Sequence, residues 1–311
     1  MFPTKILLAV DGSTGSDHAA RTATNLSRAL DSELRVVLVG ARAVDPGTLA
    51  AIPLLGGEPG TRAREALERD ARARLEGAVE KIRASGGEVS EARVEFGSPD
   101  VEIVRLAEEL DAGLVVVGSR GLGPLRRAVM GGVSRSVVRH AHCPVLVARG
   151  GHSGPSLGPI LVCLDGSRRS AVAAGAGAEI SAATGAALHV VYVMRPERYR
   201  PQFGPEAWEG WQENLKRASR DAASWVEERA ARLREEAGVK SAEAHLAFGE
   251  PAREVVRLAE EVGAGMVVVG SRGLGGVRRM LLGSVSDAVV EHAPCPVMVV
   301  RAGVPGRKTE G

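Results

Sequence analysis

Aromatic residues are rare in this chain: Phe, Trp and Tyr together make up 3% of its 311 residues. Its cores must therefore be built mainly from Val, Leu, Ile and Ala. Cysteine is rare too, and the three residues Cys143, Cys163 and Cys295 are too few, and odd in number, for a disulfide framework. No apolar run approaches the ~20 residues of a membrane-spanning helix, and the run at 6–10 is too short for a signal peptide. These absences predict a cytoplasmic protein.

An excess of one charge is also absent. The 40 basic and 38 acidic side chains leave a formal net charge of +2. This balance gives no electrostatic reason to expect a nucleic acid or an anionic membrane as partner. Hydrophobic and charged residues, at 44% and 25%, occur in the proportions of an ordinary globular protein. The length is sufficient for two domains, each with its own core.

A long internal repeat is the strongest feature that is present. Residues 96–123 and 248–275 are identical at 21 of 28 positions without a gap, and both end in VVVGSRGLG. The beginnings of the copies match as well, with ILLAVDGS at 6–13 and ILVCLDGS at 160–167. Solenoid repeats have periods of roughly 20–50 residues, so this much longer period indicates tandem domains.

The segment between the two copies, GGHSGPSLGP, is rich in Gly, Ser and Pro and predicts a linker. The final GVPGRKTEG predicts a disordered tail. We therefore expect a first domain at 1–149, a linker at 150–159, a second domain at 160–302 and a tail at 303–311.

Within each copy, short apolar runs alternate with helical segments. ILLAV, ELRVVLVG and GLVVVG in the first copy are typical of buried parallel strands. Pro99 precedes VEIVRLAEEL, as expected near the start of a helix. Five such strands alternating with helices predict an α/β fold, with one doubly wound parallel sheet per copy. Ligands of such sheets bind at the carboxyl ends of the strands, where the strand order reverses.

Glycines cluster where the second copy would bind such a ligand. Gly270 and Gly273 follow the fourth strand, and Gly283 precedes a helix. A glycine at a helix start leaves unpaired N–H groups that point outward and, with the helix dipole, form an anion site. Ser284 and Ser286 would add hydroxyl donors. This combination is chemically suited to a polyphosphate.

The same residues have a purely structural interpretation. GSVSD is also an ordinary helix start, in which Ser284 and Asp287 resemble a capping box. Gene duplication copies neutral features as well, so the repeated glycine spacing does not decide between the two interpretations.

The complete spacing in the second copy resembles the nucleotide-binding motif of the universal stress protein family. It runs GSRG, nine residues LGGVRRMLL, then GS, over 270–284. LDGS at 164–167 and HAPCPVMVV at 292–300 are equally typical of that family. The resemblance covers both copies. It implies a five-stranded parallel sheet of order 3-2-1-4-5 in each domain, and ATP or a related adenine nucleotide as ligand, with or without Mg²⁺.

The resemblance also implies how the domains associate and which residues meet the nucleotide. The domains would pair through strand five as an internal pseudo-dimer. Two copies of the chain could also associate as a homodimer. The Asp after strand one would contact the nucleoside end, and the Val near the end of strand two would meet adenine through its backbone. The implied positions are Ala9, Asp11, Val39, Gly118, Arg120, Gly121, Gly131, Gly132, Val133 and Ser134 in the first copy, and Cys163, Asp165, Val193, Gly270, Arg272, Gly273, Gly283, Ser284, Val285 and Ser286 in the second.

One position departs from the motif. The first copy has Gly132 where the motif has Ser or Thr, and it therefore lacks a hydroxyl donor. A lost hydrogen bond to a charged group costs roughly 1.5–3 kcal/mol. We expect the second domain to hold the better site.

Catalytic and metal motifs are weak. The chain has no Gly-Lys-Ser/Thr phosphate loop. Asp11 and Asp165 could hold Mg²⁺ or activate water, but an Asp in DGS is already explained by its turn. His140, His142 and Cys143 are not matched by a second cluster, so we expect a structural role and no metal site. The first hypothesis is a nucleotide-dependent sensor or switch, and the alternatives are a nucleotide-independent interaction module and a slow ATPase.

Overall fold

The computed structural model describes residues 3–40, 59–119, 130–150, 157–196, 206–273 and 282–301. The chain forms two compact units, one of Pro3–Arg149 and one that contains the chain from Gly150 onward. No helix in the described ranges is both long enough and apolar enough to cross a membrane.

The first unit is a parallel α/β domain. Its strands lie side by side in the order β3-β2-β1-β4-β5, and every neighbouring pair is parallel. This is the expected order 3-2-1-4-5. The elements are β1 Lys5–Val10, α1 Thr14–Leu30, β2 Glu33–Gly40, α2 Pro59–Ala84, β3 Glu91–Phe96, α3 Pro99–Glu109, β4 Leu114–Gly118, α4 Gly132–His140 and β5 Val145–Ala148.

The second unit repeats the same arrangement. Its strands lie in the order β8-β7-β6-β9-β10, again with parallel neighbours throughout. The predicted doubly wound fold is confirmed in both copies. The elements are β6 Ile160–Leu164, α5 Arg168–Thr184, β7 Leu188–Met194, α6 Glu206–Ala237, β8 Ala242–Phe248, α7 Pro251–Glu261, β9 Met266–Gly270, α8 Ser284–His292 and β10 Val297–Val300.

The central strands are buried on both faces, which explains their continuous apolar sequences. Ile6 and Leu8 of β1 have no exposed surface, and the same is true of Leu161 and Val162 of β6. From each first strand the chain crosses to one side for the second and third strands and returns to the other side for the fourth and fifth. The strand order therefore reverses between β1 and β4, and between β6 and β9. A crevice is expected at the carboxyl ends of these pairs.

Candidate functional site

The turn after β6 fixes the carboxylate of Asp165. Gly166 adopts a φ of +82°, which favours glycine, and the backbone N–H of Ser167 donates to Asp165 Oδ1 at 2.9 Å. The hydroxyl oxygen of Ser167 then caps α5 by accepting from the Ser170 N–H at 3.1 Å. One carboxylate oxygen thus holds the turn, as the structural interpretation of DGS predicted. Asp11, Gly12 and Ser13 form the same turn in the first domain, with a 2.9 Å bond from the Ser13 N–H to Asp11 Oδ1.

The other carboxylate oxygen of Asp165 faces Gly273. A Cβ atom at Gly273 would overlap Asp165 Oδ2, so a larger residue there would displace this carboxylate oxygen. At the end of β9, a Cβ on Gly270 would lie 3.2 Å from Arg169 C and from Ser170 N at the start of α5. The glycines after the fourth strand therefore let the first helix and the Asp165 turn approach the strand end closely.

The start of α8 tests the capping box that the structural interpretation of GSVSD expects. The helix begins at Ser284, and its N-cap is Gly283, which has no side chain to accept a hydrogen bond. Because Ser284 is the first helical residue and not the N-cap, the capping box expected from Ser284 and Asp287 does not form. Capping by a side chain is absent in the described structure of this helix start. The N–H groups of its first turn are therefore left for another acceptor.

Ser286 has a different role from the one expected from the sequence. Its hydroxyl is buried and donates to the carbonyl oxygen of Gly270 at 2.7 Å. Ser134 makes the matching bond to the Gly118 carbonyl at 2.6 Å. These hydroxyls tie the helix start to the end of the fourth strand. Their protons are directed to the main chain, whereas Ser284 lines the crevice and has no such tie to the strand among the hydrogen bonds of the described residues.

A cavity of about 570 Å³ lies at the carboxyl ends of the strands in the second domain. Its volume is typical of small-molecule sites, which span roughly 300–1,000 Å³. The structure brings all the second-copy positions of the motif together around this one space. They are Cys163, Asp165, Val193, Gly270, Arg272, Gly273, Gly283, Ser284, Val285 and Ser286.

Several cavity residues were missed by the sequence reasoning. Tyr192 and Arg195 flank Val193 on β7 and its following turn, while Pro251 and Val255 come from α7. Arg195 Nη2 lies 3.6 Å from Glu250 Oε1. Because Tyr192 and Arg195 are close to Val193 in the sequence, they could have been identified as neighbours of the site. Pro251 and Val255 enter the cavity only through tertiary packing, which no local pattern indicates.

The lining of the cavity includes both apolar and polar groups. Cys163, Val191 and Val193 form apolar wall, and burial, followed by Cys295 and Asp165, raises the pKa of the Cys163 thiol. This thiol is therefore protonated and behaves as a small apolar group. The uncapped start of α8 and Arg272 also line the cavity and follow β9, which lies on the opposite side of β6 from β7 in the strand order. This division suits a ligand with a flat apolar group and an anionic tail.

The helix start of the first domain has the same backbone arrangement, but Gly132 stands where the second domain has Ser284. Gly131 is the N-cap of α4, and its N–H donates to the Ser119 carbonyl at 2.9 Å, as Gly283 does to Ser271. A Cβ added at Gly132 would meet no atom within 4 Å. Crowding therefore does not explain the missing hydroxyl.

The other first-domain positions are placed in part. Ala9, Asp11, Val39 and Gly118 lie at the ends of their strands or directly after them, Val133 is 39% exposed and Ser134 is buried. Arg120 and Gly121 lie outside the described residues.

Two parallel doubly wound domains, each with a glycine-capped helix at its strand ends, define a class of tandem α/β folds. The model of the universal stress protein family matches residues 3–149 and again residues 157–301. The chain belongs to the universal stress protein family.

Individual relatives agree with this assignment. A universal stress protein of Mycolicibacterium smegmatis is 31% identical over 300 residues, covering 95% of this chain and 96% of its own. One from Mycobacterium tuberculosis strain H37Rv is 33% identical over 209 residues, covering 66% of this chain and 67% of its own. The crystal structure of a universal stress protein from Archaeoglobus fulgidus matches with a TM-score of 0.64 at 21% identity, over 97% of this chain and 100% of its own. This last similarity shows the fold alone.

Proposed function

We propose that this chain is a cytoplasmic adenine-nucleotide-binding protein that uses ATP, with or without Mg²⁺, as the ligand of a stress-response sensor or switch. The second domain holds the better site. The observation that carries the proposal is the single cavity lined by every second-copy position of the motif and bordered by the uncapped start of α8.

Different residues of the cavity lining would contact the base and the phosphates of the nucleotide. The base lies against Cys163 and Val193, and the nucleoside end meets Asp165. The phosphates lie at the opposite side, where the N–H groups of the first turn of α8 and the Ser284 hydroxyl donate hydrogen bonds. Arg272 adds positive charge there. In this arrangement binding uses backbone donors that are already positioned by the fold.

The site favours binding over hydrolysis. Asp165 Oδ1 already accepts the Ser167 N–H at 2.9 Å, and its other oxygen packs on Gly273. A general base must reach the attacking water, and neither oxygen is placed solely for that task. A sensor or switch that holds ATP therefore fits these contacts better than an ATPase.

Calorimetric titration with ATP tests the proposal. The full chain is first stripped of nucleotide and then titrated with ATP or GTP, with Mg²⁺ and with EDTA. Val193→Trp places a large side chain in the second cavity, and Val39→Trp is the matched change in the first domain. We expect Val193→Trp to abolish the tighter ATP-binding event and Val39→Trp to leave it in place.

The alternatives predict other results. No heat with ATP in the stripped wild-type chain would overturn the proposal and favour the nucleotide-independent interaction module. Steady phosphate release that is lost in Asp165→Asn, while ATP still binds, would favour the slow ATPase.

A further inference from the structure

A second cluster of chemically active side chains lies on β7 and β8, away from the cavity. His189 Nδ1 is 2.9 Å from His245 Nε2, and the two rings stack with their centroids 5.2 Å apart. Glu243 places Oε2 3.6 Å from His189 Nδ1 and Oε1 3.9 Å from His245 Nε2. One potential ligand atom from each of the three residues therefore lies within 4.8 Å of the others, across two neighbouring strands.

The register of the strands produces this convergence. His189 pairs directly with Glu243 across the β7–β8 ladder, and His245 follows Glu243 by two residues. Residues two apart on a strand share a face, and paired residues lie opposite each other. The three side chains thus occupy one face. His189 is the second residue of β7, whereas Val193, near the other end of that strand, lines the cavity.

The first domain contains a different set at the corresponding strand positions. Arg35 pairs with Glu91 across β2 and β3, and Arg93 follows Glu91 by two residues. Arg35 Nη1 lies 3.0 Å from Glu91 Oε2, and Arg93 Nε also contacts that carboxylate. An arginine cannot bind a metal, because its guanidinium stays protonated and offers no lone pair. The second domain therefore keeps the central Glu and replaces both cations with metal-binding side chains.

We propose that His189, Glu243 and His245 form a binding site for a divalent transition-metal ion of the zinc type. Two imidazole nitrogens and one carboxylate are a set that tetrahedral Zn²⁺ accepts, with a fourth position for water. At Zn–N distances of about 2.0–2.1 Å, two tetrahedral ligands lie roughly 3.3 Å apart. The observed N–N separation is 2.9 Å, the N–O separations of 3.6 and 3.9 Å run to different oxygens of Glu243, and one ligand atom from each residue lies within 4.8 Å of the others. A rotation of the exposed Glu243 side chain would bring one of its oxygens to the required distance from both nitrogens.

The surroundings suit such an ion. The side chains of His189 and His245 are 12% and 19% exposed, so both rings are held by packing, whereas the 68% exposed Glu243 leaves an entry path from solvent. Burial, followed by His245, lowers the pKa of His189, which keeps its ring in the neutral form that can donate a lone pair to a metal. The ion would replace the hydrogen bond that now joins the two rings.

Direct binding of Zn²⁺ to the chelator-treated full chain tests the site. We expect one equivalent per chain, and a Co²⁺-loaded chain with the visible absorption of a tetrahedral complex. The double variant His189→Arg/His245→Arg reproduces the first-domain set, which this fold already accommodates. It should lose this equivalent, while its ATP binding stays unchanged because the cavity is untouched. Each single change, His189→Gln or His245→Gln, should weaken Zn²⁺ binding by more than about 100-fold, since even outer-shell partners change metal affinity by 10–100-fold.

A gain-of-site variant provides the converse test. Arg35→His/Arg93→His introduces the His-Glu-His set into the first domain, and a second equivalent of Zn²⁺ should bind. The proposal is overturned if wild type and His189→Arg/His245→Arg take up Zn²⁺ alike. It is also contradicted if a folded Arg35→His/Arg93→His chain, judged by unchanged thermal unfolding, gains no ion.

Discussion

Gly132 and Ser284 occupy the same place in the two domains, the first residue of a helix whose N-cap is glycine. Their backbones offer the same N–H groups to an anion, so the domains differ here by one hydroxyl. The resemblance to the family motif identified this difference. Because there is open space around Gly132, a serine can be introduced there to test the role of the hydroxyl. In the proposed function, the hydroxyl of Ser284 contacts a phosphate.

Exchanging these side chains should exchange the strengths of the two sites. Ser284→Ala should weaken ATP binding in the second domain roughly ten- to a hundred-fold, since a hydrogen bond to a charged group contributes about 1.5–3 kcal/mol. Gly132→Ser should strengthen the first site by up to the same factor. Each is measured by calorimetry with the other domain blocked, Ser284→Ala in a Val39→Trp chain and Gly132→Ser in a Val193→Trp chain. Unchanged affinity in both variants would show that this hydroxyl does not contact the ligand.

At the scale of elements, the close packing of α5 on the sheet depends on one glycine. A Cβ at Gly177 would lie 2.5 Å from Val162 Cγ2 on β6 and 3.5 Å from Val268 Cγ2 on β9. Both valines are fully buried and cannot move into free space. Gly175, two residues earlier in the same helix, has no atom within 4 Å of such a Cβ.

These two glycines should respond oppositely to alanine. We expect Gly177→Ala to lower the free energy of unfolding of the second domain by about 1–3 kcal/mol through overpacking. Gly175→Ala should raise it by up to about 1 kcal/mol, because alanine favours the helix. Urea unfolding followed by tryptophan fluorescence measures both, since all 3 tryptophans lie in the second copy. Equal effects of the two changes would contradict the packing described here.

A hydrogen-bonded carboxylate joins two helices in the first domain only. Ser136 of α4 donates its hydroxyl to Asp100 Oδ2 at 2.6 Å, and Ser98 donates to Oδ1 at 2.7 Å. These bonds, with the Ser136 bond first, lower the pKa of Asp100 below its usual 3.8. The sequence of the second domain has Ala252 and Ala288 at the corresponding positions, so it cannot form this link.

The stability of the first domain should therefore depend on pH through Asp100. Because its pKa is lower in the folded state, the contribution is complete above about pH 4 and is lost as the pH falls through the folded-state pKa. Asp100→Asn should reduce the loss of stability over this acidic range. Thermal unfolding followed by circular dichroism measures the effect, with tryptophan fluorescence reporting the second domain as an internal control. An identical acid dependence in Asp100→Asn and wild type would refute this role.

The sequence predicted the elements well because the strands are buried runs with an unambiguous pattern. ELRVVLVG matches β2, Glu33–Gly40, and GLVVVG contains β4, Leu114–Gly118. The resemblance supplied the strand order and the positions that meet around the cavity. The role of Ser286, the cavity residues of α7 and the His189–His245 pair were not predicted. Each depends on contacts between distant segments, and the histidines meet only through the register of β7 with β8.

At the scale of the whole molecule, each domain has the complete strand order and its own glycine-capped helix, so each can hold a ligand site without residues from the other. The domain limits around the linker at 150–159 and the pairing of the domains through strand five stay predictions. The two copies have diverged in the motif, at Gly132, and on β7 and β8, at the histidine pair. The second domain therefore has a hydroxyl and two imidazole rings at positions where the first domain has none.

The nucleotide content of the purified full chain is the most direct test of ATP binding in the second domain. The chain is denatured, and the released nucleotide is quantified by ion-exchange chromatography in wild type, Val193→Trp and Val39→Trp. We expect about one ATP or more per chain in wild type. This content should be lost in Val193→Trp and retained in Val39→Trp. A wild-type chain that carries no nucleotide and shows no heat with added ATP would contradict the proposed ATP binding.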